Sequence, residues 1–307
     1  MRNQFNALEK IKPSPSSHYF PELNIITAEI HQGQSKQGVR KGGNELLKNY
    51  LIKNLASKYF DIKNYNGSEA RFPKLTRKNH PYFHLFKTTK KVVNELSQTL
   101  ILGGDHSLSL ATLPAIQSHY SNLKVLWVDA HGDINTPHTS PSGHLHGMPV
   151  AGLLGLFPLA KEPGWEWFRP CLNPEDIVYV GVRDLDWGEK RIIESHGIRV
   201  YTAEDVKTLG MTSVITAALN ELNPDGMHPL HVSFDVDSLD PRFAPATGLH
   251  VPNGLTLQEA IDLASYVKST QNLVSLEVVE FNPDSAKFPF EVSLTRSCLE
   301  RIIQNFL

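Results

Sequence analysis

The run Val125-Leu126-Trp127-Val128 passes directly into Asp129-Ala130-His131-Gly132-Asp133, and these nine residues decide how the rest of the chain is read. Four consecutive apolar residues are too short a run for a helix and read as a buried strand. The polar residues behind them then sit at that strand's carboxyl end. Outward in both directions the pattern repeats. Leu23 to Ile30, Thr99 to Leu102, Ile177 to Val182, Leu230 to Phe234 and Leu273 to Val279 are further apolar, β-branched strands. Between them lie stretches with helical spacing: Asn44 to Ser57, Leu108 to Ser118, Lys190 to Ser195, Ser213 to Leu222, Thr256 to Val267 and Glu291 to Asn305. Strand–helix repetition with apolar strands predicts an α/β protein, a three-layer αβα arrangement around a largely parallel central sheet. No linker divides the chain, so residues 23–307 are expected to form a single domain. Residues 1–22, with Pro13-Ser14-Pro15-Ser16-Ser17 and little periodicity, are expected to form a flexible N-terminal extension.

Composition narrows the function classes. The 307 residues include 30 Lys+Arg against 32 Asp+Glu, a formal net charge of -2, which argues against a nucleic-acid partner. The longest apolar run, Val150 to Ala160, contains Gly and Pro and is too short to cross a bilayer. No signal-type apolar stretch follows Met1, and Cys171 and Cys298 are the only cysteines, so neither a disulfide framework nor a cysteine zinc site is expected. A cytoplasmic protein is the expectation.

In open parallel sheets, ligands bind just beyond the carboxyl ends of the strands. Here those edges are residues 103–107, 129–135, 183–189, 235–240 and 280–283, and each is polar. Six of the 14 histidines fall between His106 and His146. Asp129, His131 and Asp133 alternate, so an extended chain points them to one side. Asp235 and Asp237 do the same after His231-Val232-Ser233-Phe234, and His106 follows Gly103-Gly104-Asp105 at a third edge. Any one of these alone is an ordinary turn, cap or structural histidine. Gathered together, the carboxylates repel one another unless cations neutralise them. Six candidate ligands exceed what one ion requires, and two divalent ions sharing two aspartates is the economical arrangement. Mixed carboxylate and imidazole donors suit Mn²⁺, with Co²⁺, Ni²⁺ or Zn²⁺ able to occupy the same positions. Such a pair generates hydroxide near neutral pH for attack on an electrophilic carbon.

Four blocks carry a family resemblance: Gly103-Gly104-Asp105-His106-Ser107, Asp129 through Pro137, Ser142-Gly143-His144-Leu145-His146-Gly147, and Ser233 through Pro241. In this order they resemble the ureohydrolase superfamily and are most similar to the arginase family, whose fold is also that of metal-dependent deacetylases. The resemblance implies hydrolysis of L-arginine to L-ornithine and urea, by attack of a metal-bridging hydroxide on the guanidinium carbon. It places one manganese on His106, Asp129, Asp133 and Asp235 and the other on Asp129, His131, Asp235 and Asp237. It further implies that Asp133 holds the hydroxide and passes a proton to the departing amine, that His146 shuttles protons, and that Glu280 faces the guanidinium. Asp186 and Glu189 match positions that hold the substrate's α-amino group, and Asn135 and Ser142 those that bond its α-carboxylate. Asp186-x-x-Glu189 is also a good helix capping box in its own right. A homo-oligomer, trimeric or hexameric, is implied as well.

Several positions depart from the family pattern. Leu249 and His144 stand where threonine and asparagine are common. Glu277 replaces an aspartate, Gly43 a proline, and Leu307 ends the chain without the tail some members use in trimer contacts. Agmatinase, guanidinobutyrase and formimidoylglutamase would share the metal cage, and the Asn135-Thr136-Pro137 and Ser142-Gly143 loop favours arginase over them. A catalytically silent relative would be expected to have lost ligands, and a deacetylase uses one ion rather than two.

Overall fold

The computed structural model describes residues 22–48, the backbone of 58–62, and 80–307. Its strands are β1 (Glu22–Ala28), β2 (Lys58–Ile62), β3 (Ser97–Leu102), β4 (Lys124–Val128), β5 (Ile177–Val182), β6 (Arg199–Thr202), β7 (Leu230–Asp235) and β8 (Leu273–Val279). They form one eight-stranded sheet in the order β2-β1-β3-β8-β7-β4-β5-β6, and every pairing is parallel. Alternation along the strands sends side chains to two separate cores. Leu126 and Val128 of β4, Leu100 and Leu102 of β3, and Val232 and Phe234 of β7 face one core. Val125 and Trp127, Ile101, and Val274 and Val279 face the other. A sheet buried on both faces needs helices on both.

The helices on the first face are α6 (Ala203–Leu209), α7 (Met211–Leu222), α8 (Leu257–Thr270) and α9 (Pro289–Phe306), which supply Val206, Val214, Leu263 and Ile302 among others. Those on the second include α2 (Pro81–Val92), α3 (Ser109–Gln117), α4 (Pro149–Leu153) and α5 (Trp187–His196), supplying Leu85, Leu113, Val150 and Ile193. The three-layer αβα expectation holds. A short helix α1 (Gly42–Leu46) follows β1. Its Gly43 explains one departure from the family pattern. A Cβ on Gly43 would lie 2.4 Å from the Leu102 carbonyl oxygen, because α1 backs directly onto the end of β3. Proline carries that Cβ, so this backbone has no room for it.

Other expectations need adjustment. The first strand begins at Glu22 and ends at Ala28, short of Ile30. The helix expected from Lys190 begins three residues earlier, at Trp187. Of the helix expected over Asn44 to Ser57, α1 covers the start, and residues 49–57 lie outside the described residues, as do residues 1–21 of the expected extension. Strands β2 and β6 were not anticipated. They occupy the two outer edges of the sheet, where Lys58, Asp61 and Arg199 break the apolar run that betrays the inner strands. Helix α2 buries Tyr82, Leu85, Thr89 and Val92 at helical spacing behind a cap in which the His80 ring accepts from the Phe83 backbone N–H at 3.2 Å, and α6 opens on a capping box of Thr202 with Asp205. Among the described residues no helix is long and apolar enough to cross a membrane.

Candidate active site at the ends of four central strands

Strands β3, β8, β7 and β4 are consecutive neighbours in the sheet, and since all run the same way their carboxyl ends open on one edge. His106 follows β3. Asp129, His131 and Asp133 follow β4. Asp235 ends β7 and Asp237 follows it, and Glu280 is the first residue after β8. All six expected metal ligands and Glu280 therefore come together, although they span more than half of the chain.

His106 Nδ1 lies 3.1 Å from Asp129 Oδ2, 3.0 Å from Asp133 Oδ2 and 3.0 Å from Asp235 Oδ2. His131 Nδ1 lies 3.5 Å from Asp129 Oδ1 and 3.2 Å from Asp237 Oδ2. Asp129 thus turns one oxygen to each histidine and belongs to both potential metal-holding groups. Backbone and side-chain donors fix it there: Trp127 Nε1 donates to Oδ2 at 3.0 Å and the His131 N–H to Oδ1 at 2.7 Å. Asp235 offers Oδ2 to the His106 side, while its Oδ1 accepts from the Asp237 N–H at 2.7 Å.

The donor set fits a cation. Glu277 is fully buried, and although burial opposes its charge, neighbouring His231 and hydroxyl donors hold its carboxyl down at about 2, so it is an acceptor only. Ser233 Oγ donates to Glu277 Oε1 at 2.7 Å and must therefore accept from His106 Nε2, also at 2.7 Å. In the neutral ring that metal binding requires, the hydrogen on Nε2 leaves the lone pair of Nδ1 facing three carboxylate oxygens. Without an ion, burial opposes a charge on His106, but those carboxylates outweigh it and raise the imidazole above its ordinary value. That buried Nδ1 has no hydrogen-bond partner. Four acceptors facing one point is the arrangement a metal ion completes. The extra methylene of Glu277 lets its carboxylate also reach Ser109 Oγ at 2.5 Å and Thr112 Oγ1 at 2.6 Å, which ties the ligand-bearing strand to α3.

Two non-glycine residues of the site adopt left-handed backbone, Asp133 at φ 49° and Glu280 at φ 65°. Such strain persists only where the surroundings enforce it. The Glu280 N–H donates to the Gly104 carbonyl at 2.9 Å, and the Asp133 carbonyl accepts from the Val150 N–H at 2.9 Å. Glu280 itself accepts from the His106 N–H at 2.9 Å and from Gln34 Nε2 at 2.8 and 2.6 Å, and its Oε1 lies 3.2 Å from His146 Nδ1.

A cavity of about 200 Å³ opens onto these groups, lined by Asp133, Asp235, Asp237, His131, His146 and Glu280 and, toward solvent, by Asp186, Glu189, Asn135, Ser142 and Leu249. Asp186 and Glu189 do both things the sequence offered. They form the capping box of α5, with Asp186 Oδ1 accepting from the Glu189 N–H at 2.9 Å and Glu189 Oε2 from the Asp186 N–H at 3.1 Å, and they line the cavity too. Asn135 Nδ2 donates to Asp186 Oδ2 at 2.7 Å, and Ser142 Oγ accepts from the His144 N–H at 3.1 Å. Leu249 lines the cavity with an apolar side chain, whereas His144 is not among its lining residues. Gln34 was missed by the sequence reading. It lies 246 positions from its partner Glu280, and a single glutamine in Gly33-Gln34-Ser35 carries no spacing signal.

The negative charge of this edge shows in its protonation. Burial, then the charge of Asp129, pushes the Asp133 carboxyl up to about 6. Burial and the charge of Asp133 push Glu189 up to about 8. For His146 burial works against the charge, but the Glu280 carboxylate outweighs it and raises the imidazole to about 9. Both raised acids keep protons in the folded chain that the unfolded chain has already released, so raising pH weakens the fold. His146 has the same sign: its stabilising charge is fully present below its ordinary value of 6.5 and lost as pH rises through about 9. The chelated protein should therefore unfold at lower temperature as pH rises from about 6 to about 9, where Glu189 and His146 lose their protons, on the order of 5 °C overall. Added Mn²⁺ should suppress most of the fall. A midpoint that stays level or climbs over that range in EDTA would refute the repulsion argument.

A parallel αβα fold whose central strands end in two linked His/Asp groups, with an acidic cavity over them, defines the class: a ureohydrolase. A family model described as the arginase family matches residues 22–295. The arginase of Glaciozyma antarctica is 38% identical over 277 residues, which cover 84% of this chain and 80% of that one. Among solved structures, the arginase from Bacillus caldovelox is similar with a TM-score of 0.81 at 33% identity, covering 92% of this chain and 97% of that one. Entamoeba histolytica arginase in complex with L-ornithine superposes with a TM-score of 0.83 at 30% identity, covering 94% and 99%. The chain belongs to the arginase family, and it is a hydrolase acting on arginine. These matches favour arginase over agmatinase, guanidinobutyrase or formimidoylglutamase.

Proposed function

We infer that this site converts L-arginine to L-ornithine and urea with two manganese ions. One would be held by His106, Asp129, Asp133 and Asp235, the other by Asp129, His131, Asp235 and Asp237. The observation that carries the reading is Asp129, which offers one oxygen to each histidine and so supports a pair of ions over the single ion of a deacetylase. When bound, the ions supply Lewis acidity that makes hydroxide available from water near neutral pH. The rest is the work of side chains. Glu280, buried and negative, provides the counter-charge for a guanidinium that never loses its own. Asp133 keeps Oδ2 against His106 and has Oδ1 to receive a proton and pass it to the departing amine, a role its raised carboxyl suits. His146 is tethered through Nδ1 to Glu280, leaving Nε2 to exchange protons with solvent. At the rim Asp186 and Glu189 draw the α-ammonium. Asn135 keeps its second amide hydrogen and Ser142 its hydroxyl hydrogen for the α-carboxylate.

The same reading takes residues 23–307 as one domain and the protein as a cytoplasmic homo-oligomer, trimeric or hexameric. The free thiols of Cys171 and Cys298 support a reducing compartment, and the oligomer rests on the family resemblance alone. The deciding measurement is urea release from arginine, agmatine and 4-guanidinobutyrate, each with Mn²⁺, Co²⁺ and Ni²⁺. Arginine with Mn²⁺ is expected to exceed both decarboxylated or deaminated guanidines in kcat/KM. Preference for either of those would assign a different ureohydrolase activity.

A further inference from the structure

Glu280 does not face the cavity alone. Gln34, 6% exposed, lies against it with Nε2 at 2.8 Å from Oε1 and 2.6 Å from Oε2. Carboxylate oxygens only accept, so the amide nitrogen must be the atom turned to Glu280, and Oε1 is turned away from it. That oxygen makes no hydrogen bond among the described residues, and Gln34 lines the cavity. It faces Gly248: a Cβ on that glycine would lie 3.5 Å from Gln34 Oε1 and 3.9 Å from Glu280 Oε2. Because glycine has no side chain, the space over both acceptors stays open. Leu249, next along the rim, offers no hydrogen bond of its own.

The loop carrying Gln34 is held firmly. The Gly33 N–H donates to Asp105 Oδ2 at 2.8 Å, the Gly33 carbonyl accepts from the His146 N–H at 3.1 Å, and Lys36 Nζ donates to the Gly248 carbonyl. A Cβ on Gly33 would fall 2.5 Å from Ser107 Oγ, so the loop sits hard against the end of β3.

We propose that Gln34 is a guanidinium-recognising residue, which steadies the Glu280 carboxylate through Nε2 and accepts a substrate N–H through Oε1. A guanidinium is a flat array of donors with no acceptor, and two oxygens of different residues over one open space meet it on one edge. The amide would take the part that a hydroxyl at position 249 cannot play in this chain. This rests on the reading of Glu280 as the counter-charge of arginine.

The test uses full-length protein loaded with Mn²⁺ and compares arginine turnover with inhibition by L-ornithine, which has the same α-groups but no guanidinium. Gln34→Met keeps the length and removes both polar atoms. Gln34→Ala serves if that variant does not fold, and manganese content and thermal unfolding are checked for either. The expected result is a loss of about tenfold or more in kcat/KM for arginine, carried mainly by KM, with two manganese ions retained and the ornithine inhibition constant within about twofold. Unchanged arginine kinetics would overturn the proposal. So would an equal weakening of arginine and ornithine, which would reduce Gln34 to a shaper of the loop. If wild-type protein prefers another guanidine, the arginine reading fails on its own, and the same pair of measurements on that guanidine and its amine product still decides for or against Gln34.

Discussion

Replacing Asp129 with alanine is expected to take the purified protein from two manganese ions per chain to fewer than one. Urea release should fall by at least about 10³-fold, the several kcal/mol of transition-state stabilisation that bound ions provide. The size of the effect follows from the position of the side chain. Oδ2 lies 3.1 Å from His106 and Oδ1 3.5 Å from His131, and among the described residues Asp129 is the one that turns separate oxygens to the two histidines. Asp235, the other ligand proposed to serve both ions, turns Oδ2 to His106 and Oδ1 to the Asp237 N–H, and Asp237 turns Oδ2 to His131. The variant also separates metal binding from folding. Asp129 accepts from the buried Trp127 Nε1 and the His131 N–H, and although burial opposes its charge, His106 and His131 hold its carboxyl well below the usual range. The chelated variant should therefore unfold earlier than chelated wild type. The difference should widen when Mn²⁺ is added and stabilises wild type alone. Asp284→Ala, which deletes an exposed carboxylate paired with Lys41 at 2.7 Å, is the matching control and should retain both ions. Two ions in the Asp129 variant would end the shared-ligand assignment.

How much of this was legible beforehand depends on where the information sits. The run Val125 to Val128 is fully buried and apolar, and in β3, β7 and β8 buried apolar residues predominate, with Thr99, His231, Ser233, Ser275 and Glu277 buried among them. Inner strands have two faces to bury, which keeps most of their residues apolar. The same cause hid β2 and β6, whose outer edges admit Lys58 and Arg199. Ligand pairs spaced i, i+2 were visible because strand geometry turns alternate residues the same way. The network behind them was not. Glu277 was marked as an unusual glutamate, but its partners Ser109, Thr112 and Ser233 lie 168, 165 and 44 positions away, and only sheet order makes them neighbours. Asp186 and Glu189 are a different case. Cap and cavity wall seemed competing readings, yet each residue has two carboxylate oxygens. Glu189 gives Oε2 to the Asp186 N–H, while its Oε1 lies 3.2 Å from where a Gly132 Cβ would be, beside the metal-ligand segment.

Glu280→Gln is expected to be nearly as damaging as loss of the ions while leaving the ions in place. Both oxygens of Glu280 are occupied by Gln34, with Oε1 also taken by the His106 N–H and His146, and none touches the carboxylates of the ligand set. Manganese content should therefore remain at two. The substrate, however, brings a permanent positive charge into a site where Glu280 is 5% exposed. Removing one member of a buried ion pair leaves the other uncompensated, a loss of about 3–5 kcal/mol, which predicts a fall in kcat/KM for arginine of roughly 10²-fold to several thousandfold. Glutamine adds a second fault: its NH₂ group must face a donor, either Gln34 Nε2 or the His106 N–H. The same substitution should be readable at His146. Burial already opposes its charge, and the Glu280 carboxylate, ahead of Asp133 and Asp105, holds the imidazole up at about 9. With that charge removed, its titration, followed by NMR on the histidine side chains, should move to lower pH. Loss of manganese from this variant would place Glu280 inside the metal cage instead, and near-normal arginine turnover would require another counter-charge for the guanidinium.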